Sequence, residues 1–123
     1  MPAERISDHG STLDPAVLVS VVIPTYNRLP ILQQCLRALE AQQPLDPGDS
    51  FEVVLVDDGS TDGTVEWIER QASELPHVRL ICQEHGGPAI GRNLGVDQAR
   101  GEVIIFIDSD LVVVPDFLRH HLR

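Results

Sequence analysis

The sequence predicts an α/β protein in which a mostly parallel sheet is flanked by helices. Short apolar runs rich in β-branched residues alternate with stretches whose apolar residues recur at helical spacing. An alternation of this kind builds a parallel sheet through right-handed crossover connections. The predicted strands cover residues 17–23, 51–56, 78–82 and 103–107.

Helices are predicted between these strands and after the last one. The first follows Pro30, because proline suits the first turn of a helix. The second has an apolar stripe at helical spacing that reaches Leu75, and Trp67 lies off its centre, so we expect this ring to pack at the helix edge. The third is predicted from Pro88 to Gly101 and the last from Phe117 to Leu122.

Composition limits the class of protein and of ligand. With 123 residues the chain is one domain at most, yet long enough to build a core. Nine basic and nineteen acidic side chains give a net charge of −10. No nucleic-acid partner is therefore expected, because duplex binding needs a basic surface. One anionic small molecule could still be held by local donors or by a cation.

We expect a cytoplasmic protein without a membrane span in this chain. Cys35 and Cys82 fit no metal-binding spacing and are interpreted as reduced core residues. Residues 1–18 lack the apolar stretch of a secretory signal and are predicted to form a flexible leader before a domain over 19–123. The protein would be associated with a membrane if a missing downstream part carried an anchor.

Two carboxylates, Asp108 and Asp110, follow the last predicted strand. That strand is apolar without alternation, which is typical of a strand in the middle of a parallel sheet with helices on both faces. Ligands of open α/β sheets bind at the carboxyl ends of strands, and carboxylates ligate Mg2+ or Mn2+ together with substrate phosphates. The pair predicts a metal and diphosphate site. An ordinary turn is the alternative, because Asp and Ser are common turn residues.

Polar loops at 24–28, 57–60 and 84–88 follow the other strands and should meet the two acids at one edge of the sheet. The first loop lacks the glycine pattern of dinucleotide-binding domains, and Arg92-Asn93 stand where a P-loop needs Lys and Ser or Thr. Those two classes are therefore excluded. Glycines before the third helix still provide an entrance that suits an anion.

Four motifs in this order resemble those of family 2 glycosyltransferases of the GT-A fold. They are VSVVIPTYNR at 19–28, FEVVLVDDGSTDGT at 51–64, GPAIGRNLG at 87–95 and DSD at 108–110. The resemblance covers about residues 19–119. It implies a nucleotide-sugar donor, with a UDP-sugar favoured, a divalent cation (Mn2+ or Mg2+), and transfer with inversion at the anomeric carbon.

The resemblance assigns the nucleotide side of the site as follows. Pro24, Tyr26 and Arg28 lie in a loop that lines the nucleotide. Asp58 matches the acid that hydrogen-bonds the base, and Asp57 helps to hold its loop. The alternative for Asp58 is a cap of the helix that follows, although Asp62 is the better cap candidate.

The phosphate and metal side is assigned in the same way. Gly86, Gly87 and Arg92 resemble the phosphate-side loop and its helix, and Arg92 could instead be a solvated helix charge. Asp110 matches the metal-binding acid, and Asp108 the acid that contacts ribose or metal. The remaining histidines with no metal spacing are expected at the surface, namely His77, His85, His120 and His121.

The chain departs from the family pattern in its length. The catalytic base of the family is expected beyond Arg123, so we expect a truncated domain that binds donor and metal but lacks the acceptor half and transfers no sugar by itself. A truncated sheet would expose an apolar edge and favour self-association. A non-catalytic nucleotide-binding or assembly module is the alternative. A nucleotidyltransferase would need a glycine-rich basic loop after the first strand, which is missing.

Overall fold

The computed structural model describes residues 5–8 and 17–122, whose strands form one five-stranded sheet. The strands are β1 (Arg5–Asp8), β2 (Val19–Thr25), β3 (Phe51–Asp57), β4 (Val78–Cys82) and β5 (Val103–Phe106). Their order is β1-β4-β3-β2-β5, with β1 antiparallel to β4 and every other pair parallel. The predicted class, an α/β domain with a mostly parallel sheet, is confirmed.

Three helices connect the parallel strands and a fourth follows β5, as predicted, although some helix ends differ from the prediction. They are α1 (Leu29–Glu40), α2 (Thr64–Arg70), α3 (Pro88–Gln98) and α4 (Phe117–His121). The second helix is shorter than its apolar stripe indicated. The N–H of Gln71 is shared between the carbonyls of Trp67 and Ile68, at 3.0 and 3.2 Å, and the chain continues as a 3-10 turn over Ala72–Glu74.

The sheet is covered on both faces, with the larger core on the side of α1, α2 and α4. Trp67 is buried in this core with the Arg37 guanidinium 5.9 Å from its ring centroid, which confirms its predicted packing role. Helix α3 covers the opposite face. It lies so close to the sheet that a Cβ on Gly95 would overlap Cγ1 of Val22, so this helix needs glycine there.

A polar network is buried between the sheet and the end of α3. The Oε2 atom of Glu52 accepts hydrogen bonds from Ser20 Oγ at 2.6 Å and from the N–H of Arg100 at 2.7 Å. Its Oε1 atom is 3.2 Å from NH1 of the buried Arg79. Ser20 Oγ also accepts the N–H of Gly101 at 2.8 Å. These contacts fix the connection from α3 to β5 against the sheet.

The position expected for the last strand is wrong. In the described part of the chain β5 pairs only with β2 and lies at the edge of the sheet, and the side chain of Phe106 is 50% exposed. An apolar run indicates a strand but does not reveal how many neighbours it has. Further exposed apolar residues are Val103, Leu111, Val112 and Val114. Such an edge favours association with another polypeptide, and self-association stays a prediction.

The leader expected over residues 1–18 is corrected in one part. Arg5–Asp8 is a strand that pairs with β4, from Arg5 opposite Cys82 to Asp8 opposite Arg79. A segment of polar residues can still pair with a neighbouring strand through its backbone, so polarity alone does not exclude a strand. The parts of this prediction that concern residues 1–4 and 9–16 lie outside the described residues.

The two cysteines differ in their surroundings. Cys35 is fully buried in α1, and burial, followed by the negative charge of Asp110, raises the pKa of its thiol to about 12. It therefore stays protonated and unreactive at neutral pH. Cys82 is only half-buried, and neither residue is in a disulfide. None of the helices in residues 17–122 has the length and apolar character needed to cross a bilayer.

Candidate functional site

A cavity of about 490 Å³ opens at the carboxyl edge of the sheet, where the strand ends meet. It is lined by seven of the predicted site residues, namely Pro24, Tyr26, Arg28, Asp58, Arg92, Asp108 and Asp110. Asp57 and Gly87 do not line it, and both make hydrogen bonds within the neighbouring loops. Thr25, Pro88 and Ser109 line it as well and were not predicted. Another cavity, of about 220 Å³, lies away from the strand ends, beside Arg37 and Trp67.

The carboxylate of Asp58 is buried and holds the loop that follows β4. Its Oδ1 atom accepts hydrogen bonds from Gln83 Nε2 at 2.8 Å and from the N–H of Gly86 at 2.7 Å. Its Oδ2 atom accepts the N–H of Gly87 at 3.0 Å and lies 2.8 Å from Nδ1 of His85. The alternative role as a cap of α2 is wrong, because that helix begins after Gly63 without a side-chain cap.

These donors keep Asp58 ionised. Burial by itself would raise the pKa of the carboxyl group. The hydrogen bonds from Gly86, Gln83 and Gly87, together with the nearby His85, outweigh burial and lower the pKa below its ordinary value. At neutral pH the group is therefore a carboxylate that only accepts hydrogen bonds.

We expect Asp58 to make the protein sensitive to acid. A carboxyl group whose pKa is lowered by folding stabilises the fold above its unfolded pKa of about 4, and this contribution is lost as the pH falls through the lower folded value. Urea unfolding between about pH 7 and pH 2 should show this loss. Asp58→Asn should flatten the dependence, whereas Asp97→Asn on the exposed side of α3 should not. Equal acid dependence in all three proteins would contradict this origin.

The loops after β2 and β3 are tied together beside the cavity. Asp57 Oδ2 accepts the N–H of Ser60 at 2.9 Å, so Asp57 does hold its own loop. Ser60 Oγ accepts the N–H of Asn27 at 2.9 Å, and Asp62 Oδ2 accepts the N–H of Leu29 at 3.0 Å. The two loops therefore form one hydrogen-bonded unit that positions the residues lining the cavity.

Asp108 and Asp110 both line the cavity with exposed side chains, and Asp110 Oδ2 is 3.8 Å from NH1 of Arg28. Within residues 17–122 no group of three His, Cys, Asp or Glu side chains converges as a metal site. Two hard oxygen donors fit Mg2+ or Mn2+ when the ligand and water supply the other oxygens. The donor set thus fits a cation that is shared with a bound phosphate.

The basic side of the cavity differs from the expectation in one respect. The N–H groups of Gly86 and Gly87 donate to Asp58, so they are already used within the protein. Arg92, from the second turn of α3, lines the cavity and is half-buried. The anion contact of Arg92 stays a prediction, as does its alternative as a solvated helix charge, and Arg28 is a second basic side chain that lines the cavity.

His85 does not line the cavity but contacts two residues that do, which the sequence did not reveal. Its side chain is 62% exposed, which agrees with the predicted surface position. Its ring nevertheless lies against Tyr26, with centroids 4.4 Å apart and planes inclined by 37°, while Nδ1 contacts Asp58. No spacing rule could have found these contacts, because they join three different loops.

The fold and the cleft define an open α/β domain that presents two arginines and three acids at the carboxyl edge of a parallel sheet, the place where such domains bind ligands. The family follows from comparison. Residues 20–123 match the sequence model of Glycosyl transferase family 2, and the chain belongs to this family.

Known relatives agree. An uncharacterized glycosyltransferase of Bacillus subtilis, YfnE, is 38% identical over 104 residues, which are 85% of this chain and 26% of that protein. Poly(ribitol-phosphate) beta-N-acetylglucosaminyltransferase TarS of Staphylococcus aureus is 40% identical over 92 residues, 74% of this chain and 16% of that protein. The chain thus spans about a quarter or less of the length of these relatives.

Two solved structures are similar in fold as well as in sequence. The TarS structure of residues 1–349 in complex with UDP-GlcNAc has a TM-score of 0.75 and 34% identity, covering 85% of this chain and 30% of that one. The mannosyltransferase PcManGT from Pyrobaculum calidifontis, in complex with GDP-Man and Mn2+, has a TM-score of 0.67 and 33% identity over 84% of this chain and 29% of that one. The fold is therefore of the GT-A type.

Proposed function

We propose that this chain is the donor- and metal-binding part of a glycosyltransferase that moves a sugar from a nucleoside diphosphate to an acceptor with inversion. The observation that carries the proposal is the cavity itself, in which a base-side carboxylate, two arginines and the Asp108–Asp110 pair meet at one sheet edge. TarS was solved with UDP-GlcNAc and PcManGT with GDP-Man and Mn2+, which supports a nucleotide-sugar donor here, with a UDP-sugar favoured.

Asp108 and Asp110 would hold the cation, Mn2+ or Mg2+. When bound, such an ion stabilises the negative charge that a diphosphate leaving group gains. Arg28 and Arg92 line the same cavity and add positive charge on the side of the diphosphate. The Asp110–Arg28 distance of 3.8 Å is loose enough for the two side chains to separate when a cation and a phosphate enter between them.

The nucleoside would occupy the other end of the cavity, between Tyr26 and Asp58. Asp58 accepts a hydrogen bond from the base edge, since an ionised carboxylate is an acceptor only. Thr25 offers a further contact. Its Oγ1 atom is buried at the cavity and has no hydrogen-bond partner among the described residues, and buried polar atoms are normally paired.

A non-catalytic nucleotide-binding module is the second candidate. It would use the same cavity and the same donor-binding residues. The base expected beyond Arg123 stays a prediction. Incubation of the full-length protein with radiolabelled UDP-sugars and a mixed acceptor pool separates the candidates, because transfer supports the enzyme, whereas binding without transfer favours the module. The chain of 123 residues by itself is expected to bind without transfer in either case.

Calorimetry with a panel of ligands tests the binding that both candidates share. UDP should bind more tightly with Mn2+ than without it, and inorganic pyrophosphate should show the same dependence with lower affinity because it lacks the base. GDP and CDP test the preference for uridine. If no nucleoside diphosphate binds with or without Mn2+, the proposed function is wrong.

A further inference from the structure

We infer that His85 covers Tyr26 and Asp58, the two groups proposed to bind the nucleobase, in the unliganded protein, so that a base must displace it in order to bind. His85 thereby becomes a residue that sets the affinity for the base. The inference rests on the proposed function, because it takes the space between Tyr26 and Asp58 as the base subsite. It concerns a residue to which no role in binding was assigned from the sequence.

The first observation is the contact between two rings. The imidazole of His85 lies against Tyr26 at a centroid distance of 4.4 Å and an inclination of 37°. Tyr26 is itself 42% exposed, and this ring is the aromatic side chain that lines the cavity. A planar heterocycle entering to stack on Tyr26 would compete with His85 for the same ring.

The second observation is that the acceptor capacity of Asp58 is filled. A carboxylate offers about four acceptor positions. Gln83 and Gly86 donate to Oδ1, whereas Gly87 and His85 are on Oδ2. Nδ1 of His85 also lies 3.3 Å from the main-chain carbonyl oxygen of Asp58. Because neither that oxygen nor an ionised carboxylate can donate, Nδ1 carries the hydrogen in these contacts. A base N–H can reach Asp58 only if one of these donors leaves.

His85 is the donor that can leave without disturbing the fold. Gln83 is buried, and the glycine donors are backbone groups held at the start of α3. The side chain of His85 is 62% exposed and can rotate into solvent. The imidazole thus makes two contacts of the kind expected of a base, a ring contact and a close approach of an N–H to a carboxylate, and it is the exposed side chain of the set.

The test is calorimetric titration of UDP with Mg2+ into the wild type, His85→Ala and His85→Phe under one buffer condition. The alanine variant should bind UDP roughly tenfold more tightly than the wild type, because one competing donor is gone.

Matched controls distinguish an effect on base binding from an effect on phosphate binding, and a change at the site from a change elsewhere on the surface. Inorganic pyrophosphate with Mg2+ should bind all variants equally, since it does not reach the base subsite. His120→Ala removes an exposed histidine from α4 and should leave UDP binding unchanged. His85→Phe keeps a ring on Tyr26 without a donor to Asp58, so it should also bind UDP more tightly than the wild type. This variant decides the question if alanine prevents folding.

Two results would overturn the inference while leaving the proposed function intact. One is UDP binding that weakens in His85→Ala, because His85 would then support the base rather than compete with it. The other is UDP binding to His85→Ala that equals UDP binding to the wild type. If neither the wild type nor any variant binds UDP, the inference fails together with the proposed function.

Discussion

Replacing Asp110 with asparagine is expected to abolish the part of UDP-induced stabilisation that depends on Mn2+. Asp110 is an exposed acid at the mouth of the cavity and would bridge the protein to the diphosphate through the cation. At a ligand concentration 100-fold above the Kd, binding stabilises the folded state by about 2.7 kcal/mol. Thermal unfolding of wild type and Asp110→Asn with UDP, with and without Mn2+, measures the difference.

The matched control is Asp116→Asn. Asp116 lies in the same segment of the chain, precedes α4 and does not line the cavity. It should keep the full Mn2+-dependent shift. The free energy of unfolding without ligand should be similar in all three proteins, because exposed substitutions usually change it by less than about 0.5 kcal/mol. The metal assignment is wrong if Asp110→Asn retains the wild-type shift.

Replacing Glu52 with alanine is expected to lower the free energy of unfolding by roughly 3–5 kcal/mol, since removal of one member of a buried ion pair leaves a buried charge behind. The carboxylate faces Arg79 at 3.2 Å, and both side chains are nearly inaccessible. It also accepts hydrogen bonds from Ser20 and from the N–H of Arg100, which would lose their acceptor in the interior. Urea unfolding at neutral pH measures the change.

Glu102→Ala supplies the comparison for Glu52→Ala. Glu102 is an exposed residue just before β5, and its removal should alter the free energy of unfolding by less than about 0.5 kcal/mol. Since the Glu52 network lies far along the strands from the cavity, nucleotide affinity extrapolated to the folded protein should be unchanged. A loss below about 1 kcal/mol would show that the network contributes little to stability.

The sequence was sufficient to predict the fold class, because the strand pattern and the helix-start signals both indicated alternating strands and helices. β-branched runs such as the one from Val19 to Ile23 gave the strands, and prolines such as Pro30 and Pro88 marked helix starts that the structure has at α1 and α3. The edge position of β5 could not be predicted in this way. Burial of a strand depends on what lies beside it, whereas its own residues report only that it is apolar.

The candidate site was predictable where the residue type and its position at a strand end were enough to indicate that the residue lies at the cavity. Asp58, Asp108 and Asp110 follow strands and meet at one cavity as the topology requires. The role of Asp58 as the anchor of a neighbouring loop was missed, because Gln83 and Gly86 come from the end of another strand. The position of His85 was missed for the same reason, since its partners are distant along the chain.

The order of the strands also bears on how the chain acquires its structure. No two neighbours in the described sheet are joined by a hairpin, and β2 pairs with both β3 and β5, with Val19 opposite Phe51 on one side and Val103 on the other. During synthesis β2 can pair early with β3. Its other edge can pair with β5 only after the final fifth of the described residues has been synthesised. Late pairings between distant segments fold slowly and leave apolar strands open to aggregation. We therefore expect chaperones to matter more for this domain than for a helical protein of equal length.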